Sequence, residues 1–105
     1  MRIIIIGGGA AGLMAAYFAS KSSDCDVLLL EKNEKLGKKI YITGKGRCNV
    51  CNACDNEEFL KHVLRNPKFL YPGLADFNPF NLIDLFESLG CPIVIERGRR
   101  AYPAS

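Results

Sequence analysis

The chain opens on Ile3-Ile4-Ile5-Ile6, an apolar β-branched run with no polar position inside it. Such a run predicts a strand buried on both faces, as in a parallel sheet. Small residues follow at once, Gly7-Gly8-Gly9-Ala10-Ala11-Gly12, and a helical pattern then begins at Leu13 and runs to about Ser20. A second apolar run, Val27-Leu28-Leu29-Leu30, ends in Glu31. The predicted order is strand, glycine turn, helix, strand, acid.

Further along, the periodicity changes. Asp55 with Glu58 three positions later reads as a capping box, and Phe59, Leu60, Val63 and Leu64 give an apolar stripe at helical spacing. Asn66-Pro67 ends that helix, and positions 67–78 read as a loop with a turn at Tyr71-Pro72-Gly73. Asn78 and Pro79 suit the cap and first position of a second helix. Its stripe is Phe80, Ile83, Leu85 or Phe86, and Leu89, with Gly90 closing it. Pro92-Ile93-Val94-Ile95-Glu96 reads as a third strand, followed by a basic cluster at Arg97, Arg99 and Arg100.

The first unit carries a specific chemistry. G-x-G-x-x-G between a strand and a helix is a dinucleotide-binding fingerprint. Gly7 allows the tight turn, Gly9 lets backbone approach a pyrophosphate, and Gly12 lets the helix pack closely on the strand. The free N–H groups around Ala10 to Gly12 and the helix dipole favour an anion. Glu31 stands 19 positions after Gly12, close to the spacing of a carboxylate that grips ribose hydroxyls. The bland alternative, a glycine-rich turn in an ordinary α/β protein, leaves the acid and the second strand unexplained.

Composition narrows the rest. With 105 residues the chain is one domain at most. Hydrophobic content of 49%, charged content of 24% and a net charge of +3 are ordinary for a soluble globular protein and do not argue for nucleic acid or a membrane surface. No apolar stretch approaches a membrane span, and the start does not read as a signal peptide. The expectation is a cytoplasmic protein. A dinucleotide-binding sheet has about five or six strands, more than the runs found here. The α/β unit is therefore expected to be incomplete in this chain, as the N-terminal piece of a longer protein.

Between positions 32 and 49 the residues permit a second contact region. Lys32 and Lys39 could flank the adenosine side of a bound dinucleotide, against the bland reading of a solvated charged loop. Ile40-Tyr41-Ile42-Thr43-Gly44-Lys45-Gly46-Arg47-Cys48-Asn49 holds two glycines that free the backbone to present N–H groups. Arg47 could clamp an anion there, though composition alone favours a plain turn.

Several segments taken together carry a resemblance. They are Gly7 to Ala16, Leu30-Glu31-Lys32-Asn33, Leu36-Gly37-Lys38-Lys39, Gly44 to Val50, and the closing Glu96 to Ser105. In order and spacing they resemble the bacterial FAD-dependent oxidoreductases that include aminoacetone oxidase and bile-acid dehydro-steroid reductases. The resemblance covers essentially the whole chain and only the first part of a family member. It implies a Rossmann-like FAD-binding βαβ unit of a glutathione-reductase-like fold. Gly7, Gly9, Ala10, Ala11 and Gly12 would lie on the pyrophosphate, and Glu31 would hold the adenosine ribose with Lys32 beside it. Lys39, Thr43, Gly44, Gly46, Arg47, Cys48 and Asn49 would line the cofactor toward the isoalloxazine. Positions 1–105 would be the N-terminal part of an FAD-binding domain, with a second, substrate-facing part starting near 91–105. The family usually has Thr where Cys51 stands.

The implied activity is flavin-mediated hydride transfer on a small organic substrate, with NAD(P)H as a candidate donor. No residue is picked out as a general acid or base; His62, the only histidine, sits in a helical pattern. The rivals are an NAD(P)-dependent dehydrogenase with the same fingerprint and a non-catalytic truncated fragment. Cys48-x-x-Cys51-x-x-Cys54 also has iron–sulfur spacing, but no fourth ligand follows at the usual gap, so reduced thiols and no metal are expected. The expected partner is a small-molecule substrate, with neither nucleic acid nor membrane.

Overall fold

A computed structural model gives the structure of residues 1–104; Ser105, the last residue of the closing motif, lies outside the described residues. The chain forms two compact units, Met1–Cys48 and a second from Asn49 onward.

In the first unit, strand β1 (Arg2–Ile6) pairs in parallel with β2 (Asp26–Leu30), joined through helix α1 (Ala10–Ala19). The register runs from Arg2 opposite Asp26 to Ile6 opposite Leu30. Gly7 N–H continues the ladder to Leu30 O at 2.7 Å. Arg2 bonds Asp26 at the open end of the pair, through Nε at 3.0 Å. Both side chains are exposed, so this ion pair adds little. α2 (Lys38–Ile42) and a short 3-10 turn at Thr43–Gly46 complete the unit.

β1 is not buried on both faces, which corrects the expectation from its isoleucine run. Ile3, Ile5, Val27 and Leu29 are half-buried, whereas Ile4, Ile6, Leu28 and Leu30 are exposed, Ile6 at 78%. Alternate residues of a strand point to opposite faces, and α1 covers only one of them. The helix also starts at Ala10 rather than Leu13. The extended backbone of Gly9 (φ −82°, ψ −166°) sets that start, not the apolar periodicity.

The second unit is built on an antiparallel sheet in the order β3 (Cys51–Asn52), β5 (Arg100–Pro103), β4 (Ile93–Glu96). β4 and β5 form a hairpin with Glu96 opposite Arg100 and Ile93 opposite Pro103. β3 and β5 did not stand out as strands in the sequence: one is two residues long and the other is mixed in polarity. Helix α5 (Pro79–Ser88) lays Ile83 on this sheet, where it joins Ala53 and Ala101, with Cys51 and Ile93 packed alongside. Its cap is as expected at Asn78. The Asn78 side chain accepts from Asn81 N–H and the Asn81 side chain accepts from Asn78 N–H, both at 2.9 Å.

Three other expectations are corrected here. Helix α3 covers only Asn56–Lys61 and does not reach Leu64, which is 98% exposed. Asp55 does cap it, accepting from Glu58 N–H at 2.8 Å. The Glu58 carboxylate bonds His62 rather than reaching back to complete the box. Residues 67–78 are not a loop: a 3-10 turn at Pro67–Leu70 leads into α4 (Tyr71–Asp76). Pro72 falls in the first turn of α4, where a missing N–H is tolerated.

Candidate cofactor site

The glycine turn between β1 and α1 is shaped by what a side chain would meet at each position. At Gly12 an added Cβ would lie 1.8 Å from Gly7 O and 3.5 Å from Ile5 Cγ2. Only a glycine lets α1 lie this close to the strand that feeds it. At Gly8 a Cβ would press on Leu36 and Leu29. At Gly9 it would meet nothing within 4 Å. The turn is therefore walled by protein at Gly8 and Gly12 and open at Gly9. Gly7 adopts φ +102°, which L side chains rarely take up.

The open side coincides with unused donors. Gly9 caps α1 and has no side chain to satisfy its first N–H groups. The first i to i−4 bond is Leu13 N–H to Gly9 O at 2.9 Å. The N–H groups of Ala10, Ala11 and Gly12 precede it, as the leading donors of any helix do. Together with the helix dipole they form a ready anion site. Gly7, Gly9, Ala10, Ala11 and Gly12 are thus brought together at one turn.

Glu31 is tied into the same turn. Its Oε1 accepts from Gly8 N–H at 2.8 Å and its Oε2 accepts from Asn33 N–H at 2.7 Å. Those bonds, from Asn33 first and then Gly8, hold its carboxyl below the usual glutamate range. Each carboxylate oxygen keeps further lone-pair capacity, so the group can still accept ribose hydroxyls. A second tie comes from the far side. Gly37 N–H donates to Gly8 O at 2.7 Å, and Gly37 sits in the left-handed region at φ +65°. Gly8 lies in the Gly8 to Gly12 stretch expected to hold phosphate, whereas Asn33 and Gly37 stand in the family-like motifs with no contact expected of them. The Leu36-Gly37 pair of the family-like motif was the signal that could have raised Gly37.

The other predicted residues fall as follows. Lys32 follows Glu31 and is exposed, and Lys39 is an exposed residue of α2. Thr43 donates its hydroxyl to Ile40 O at 3.1 Å, closing the end of α2. Gly44, Lys45, Gly46 and Cys48 all have positive φ, so the loop is a left-handed coil. Arg47 N–H and Cys48 N–H are used inside it, bonding Gly44 O and Thr43 O at 3.1 and 3.0 Å. Those two groups hold the loop together rather than facing a ligand. Asn49 belongs to the second unit. With its amide nitrogen turned inward it donates to Cys51 O and Ala101 O at 3.1 and 3.3 Å, pinning the start of β3.

The residues of the glycine turn fit an FAD pyrophosphate and adenosine ribose: an opening where a Cβ would stand, free N–H donors beside it, and a held carboxylate at the end of β2. The cysteine run is a different matter. Burial pushes the Cys51 and Cys54 thiols up, and the Cys51 thiol bonds Pro79 O at 3.8 Å. Among the described residues no three His, Cys, Asp or Glu side chains gather as a metal-ion set. No helix among them is long and apolar enough to cross a membrane.

Comparison with known proteins points the same way. The profile described as the HI0933-like protein Rossmann domain matches residues 1–105. The chain is 40% identical, over 99% of its length, to a 3-dehydro-bile acid delta(4,6)-reductase of Clostridium scindens. Over 83% of its length it is 38% identical to a ribosomal RNA dihydrouridine synthase of Escherichia coli and 36% identical to that of Haemophilus influenzae. It spans about a quarter of the length of the first relative (25%) and 21% of each of the other two.

Proposed function

The chain belongs to the HI0933-like Rossmann-domain family, an FAD-binding family, and on that premise we propose that it is the cofactor-binding start of a flavin-dependent reductase. The observation that carries the reading is the opening at Gly9 beside the uncapped first turn of α1. In this reading Gly7, Gly9, Ala10, Ala11 and Gly12 hold the pyrophosphate, Glu31 holds the ribose, and Lys32 and Lys39 lie on the adenosine side. Thr43, Gly44, Gly46, Arg47, Cys48 and Asn49 follow the cofactor toward its ring.

FAD, when bound, supplies two-electron chemistry: in its reduced form it gives a hydride to a substrate carbon. The chain's own part is to bind and orient. Glu31 and Gly37 lock the turn from two sides, so the N–H donors stand in place before an anion arrives. The names of the relatives support one reaction class. A steroid delta(4,6)-reductase and a dihydrouridine synthase both concern a carbon–carbon double bond conjugated to a carbonyl. Hydride addition at the electron-poor carbon and protonation of its neighbour reduces such a bond. We take this as the reaction class, with a small molecule as substrate, NAD(P)H as donor and a cytoplasmic location. A uracil ring within RNA is the second reading, favoured by the two dihydrouridine synthase relatives.

The deciding experiment is an anaerobic visible spectrum of the protein expressed from its natural open reading frame. Two resolved flavin bands, with FAD released on denaturation, are expected. A colourless protein would overturn the flavin assignment. Reduced enzyme offered an enone or a uridine-containing RNA then separates the two substrates.

A further inference from the structure

The second unit carries a groove that the cofactor reading does not use. Its cavity volume is about 600 Å³. One wall is Glu58 and Phe59 of α3 with His62 and Val63, which follow its end. The facing wall is the turn at Gly98 and Arg99.

That turn is held in an unusual shape. Gly98 and Arg99 are both left-handed, with φ +74° and +61°. A left-handed arginine carries backbone strain that a glycine would avoid. The shape is imposed from β3: Asn52 Nδ2 donates to Gly98 O at 2.8 Å, and Ala53 N–H, just beyond the strand, donates to Arg99 O at 2.7 Å. The backbone geometry by itself would favour a glycine here. The Arg99 guanidinium lines the groove and makes no ion pair among the described residues.

The rest of the lining is apolar or hydrogen-bonded within the protein. Glu58 hydrogen-bonds His62 Nε2 at 3.1 Å and has Lys61 Nζ at 3.9 Å, a lysine it shares with Glu57. Cys54 is buried, and burial pushes its thiol up, leaving it a neutral, weakly polar surface. Phe59 and Val63 supply flat hydrocarbon. The Arg99 guanidinium thus lines a slot whose walls include the hydrocarbon of Phe59 and Val63.

We infer that this groove binds a small organic anion: a carboxylate carried on a flat apolar body, with the carboxylate forked by Arg99 and the body against Phe59 and Val63. A guanidinium pairs a carboxylate through two parallel N–H bonds, a geometry a lysine cannot offer. The groove is lined by residues of the second unit alone, and the inference stands whether or not the flavin reading holds.

His62 is the only histidine in the sequence, so one imidazole resonance reports on the groove. The test is a proton NMR titration of the full chain with benzoate, with benzyl alcohol and inorganic phosphate as separate probes. Benzoate should move the His62 signal saturably, and each of the other two should bind at least about tenfold more weakly, as loss of one charge-assisted contact or of the apolar body predicts. Arg99→Asn, which tolerates the left-handed backbone, should weaken benzoate by about the same factor. If that variant misfolds, Arg99→Gly, with no strain at that φ, takes its place. An unsaturable response to benzoate, equal binding of phosphate, or unchanged affinity in the folded variant overturns the assignment. So does a His62 signal that shifts with protein concentration alone, which would mean a second copy fills the groove.

Discussion

The two units bury opposite things. Among the described residues of the first, the buried positions are Gly8 and Gly37, joined by a backbone hydrogen bond. In the second they are Ala53, Cys54, Pro79, Ile83, Ala101 and Tyr102, with Ala101 fully enclosed. The first unit concentrates its order in backbone at the point where a cofactor would rest, and leaves Ile4, Ile6, Leu28 and Leu30 in the open. The second draws its order from side-chain packing across strands distant in sequence. A binding turn made of main-chain donors needs accurate placement more than volume. A three-stranded sheet with one helix on it needs volume.

The largest test of that contrast is a pair of glycine substitutions. Gly12→Val should destabilise the first unit by about 3 kcal/mol or more, because the new Cβ meets backbone that cannot move aside. It should also abolish flavin binding. Gly9→Val should abolish flavin binding too, yet cost the cofactor-free protein only about 1 kcal/mol, the loss of a favourable N-cap residue, since no protein atom lies within 4 Å. Urea melts with and without FAD separate the two; equal destabilisation by both would show that the Gly9 opening is not a ligand space.

In the second unit the matching substitution is Ile83→Ala. It removes the helix side of the cluster with Ala53 and Ala101 and should cost about 2–4 kcal/mol. A smaller loss in a denaturant titration would mean that the core collapses around the gap.

Next in size is Gly37→Val, which forces a β-branched residue into the left-handed region at an expected cost of roughly 1–2 kcal/mol. Flavin affinity should fall with it, since the tie to Gly8 loosens. Gly37→Asn, at ease with that φ, should recover most of the affinity. A fluorescence titration of FAD against both variants is the check, and no recovery with Asn would argue against a backbone clasp.

The smallest effect is one of pH. The Glu31 carboxyl is lowered on folding by the Asn33 and Gly8 N–H groups. Its contribution is therefore full above the ordinary glutamate range and is lost as pH falls through the lowered folded value. Amide resonances of Gly8 and Asn33 should shift together only in that acid window. In Glu31→Gln the shared transition should vanish; its survival would assign it to another carboxyl.

Legibility differed between the units for the same reason that their burial does. The strand–turn–helix–strand order around Gly7 to Glu31 was readable, because each step is local: a β-branched run, glycines in sequence, an acid at a fixed distance. The capping signals at Asp55 and Asn78 were readable too. What misled was burial. Four consecutive isoleucines read as a strand enclosed on both faces, yet α1 covers one face only. Pro72 read as a turn, yet it opens α4, since proline suits both places.

The glycine turn, the acid that follows it and the caps of two helices are local, resting on contacts within a few residues or on a fixed spacing. Which glycine is open and which is walled, the reach of Gly37 back to Gly8, and the meeting of Arg99 with the end of α3 arise from the folded chain. Those are meetings of segments far apart in the chain, and no local pattern of residue types encodes the distance between them.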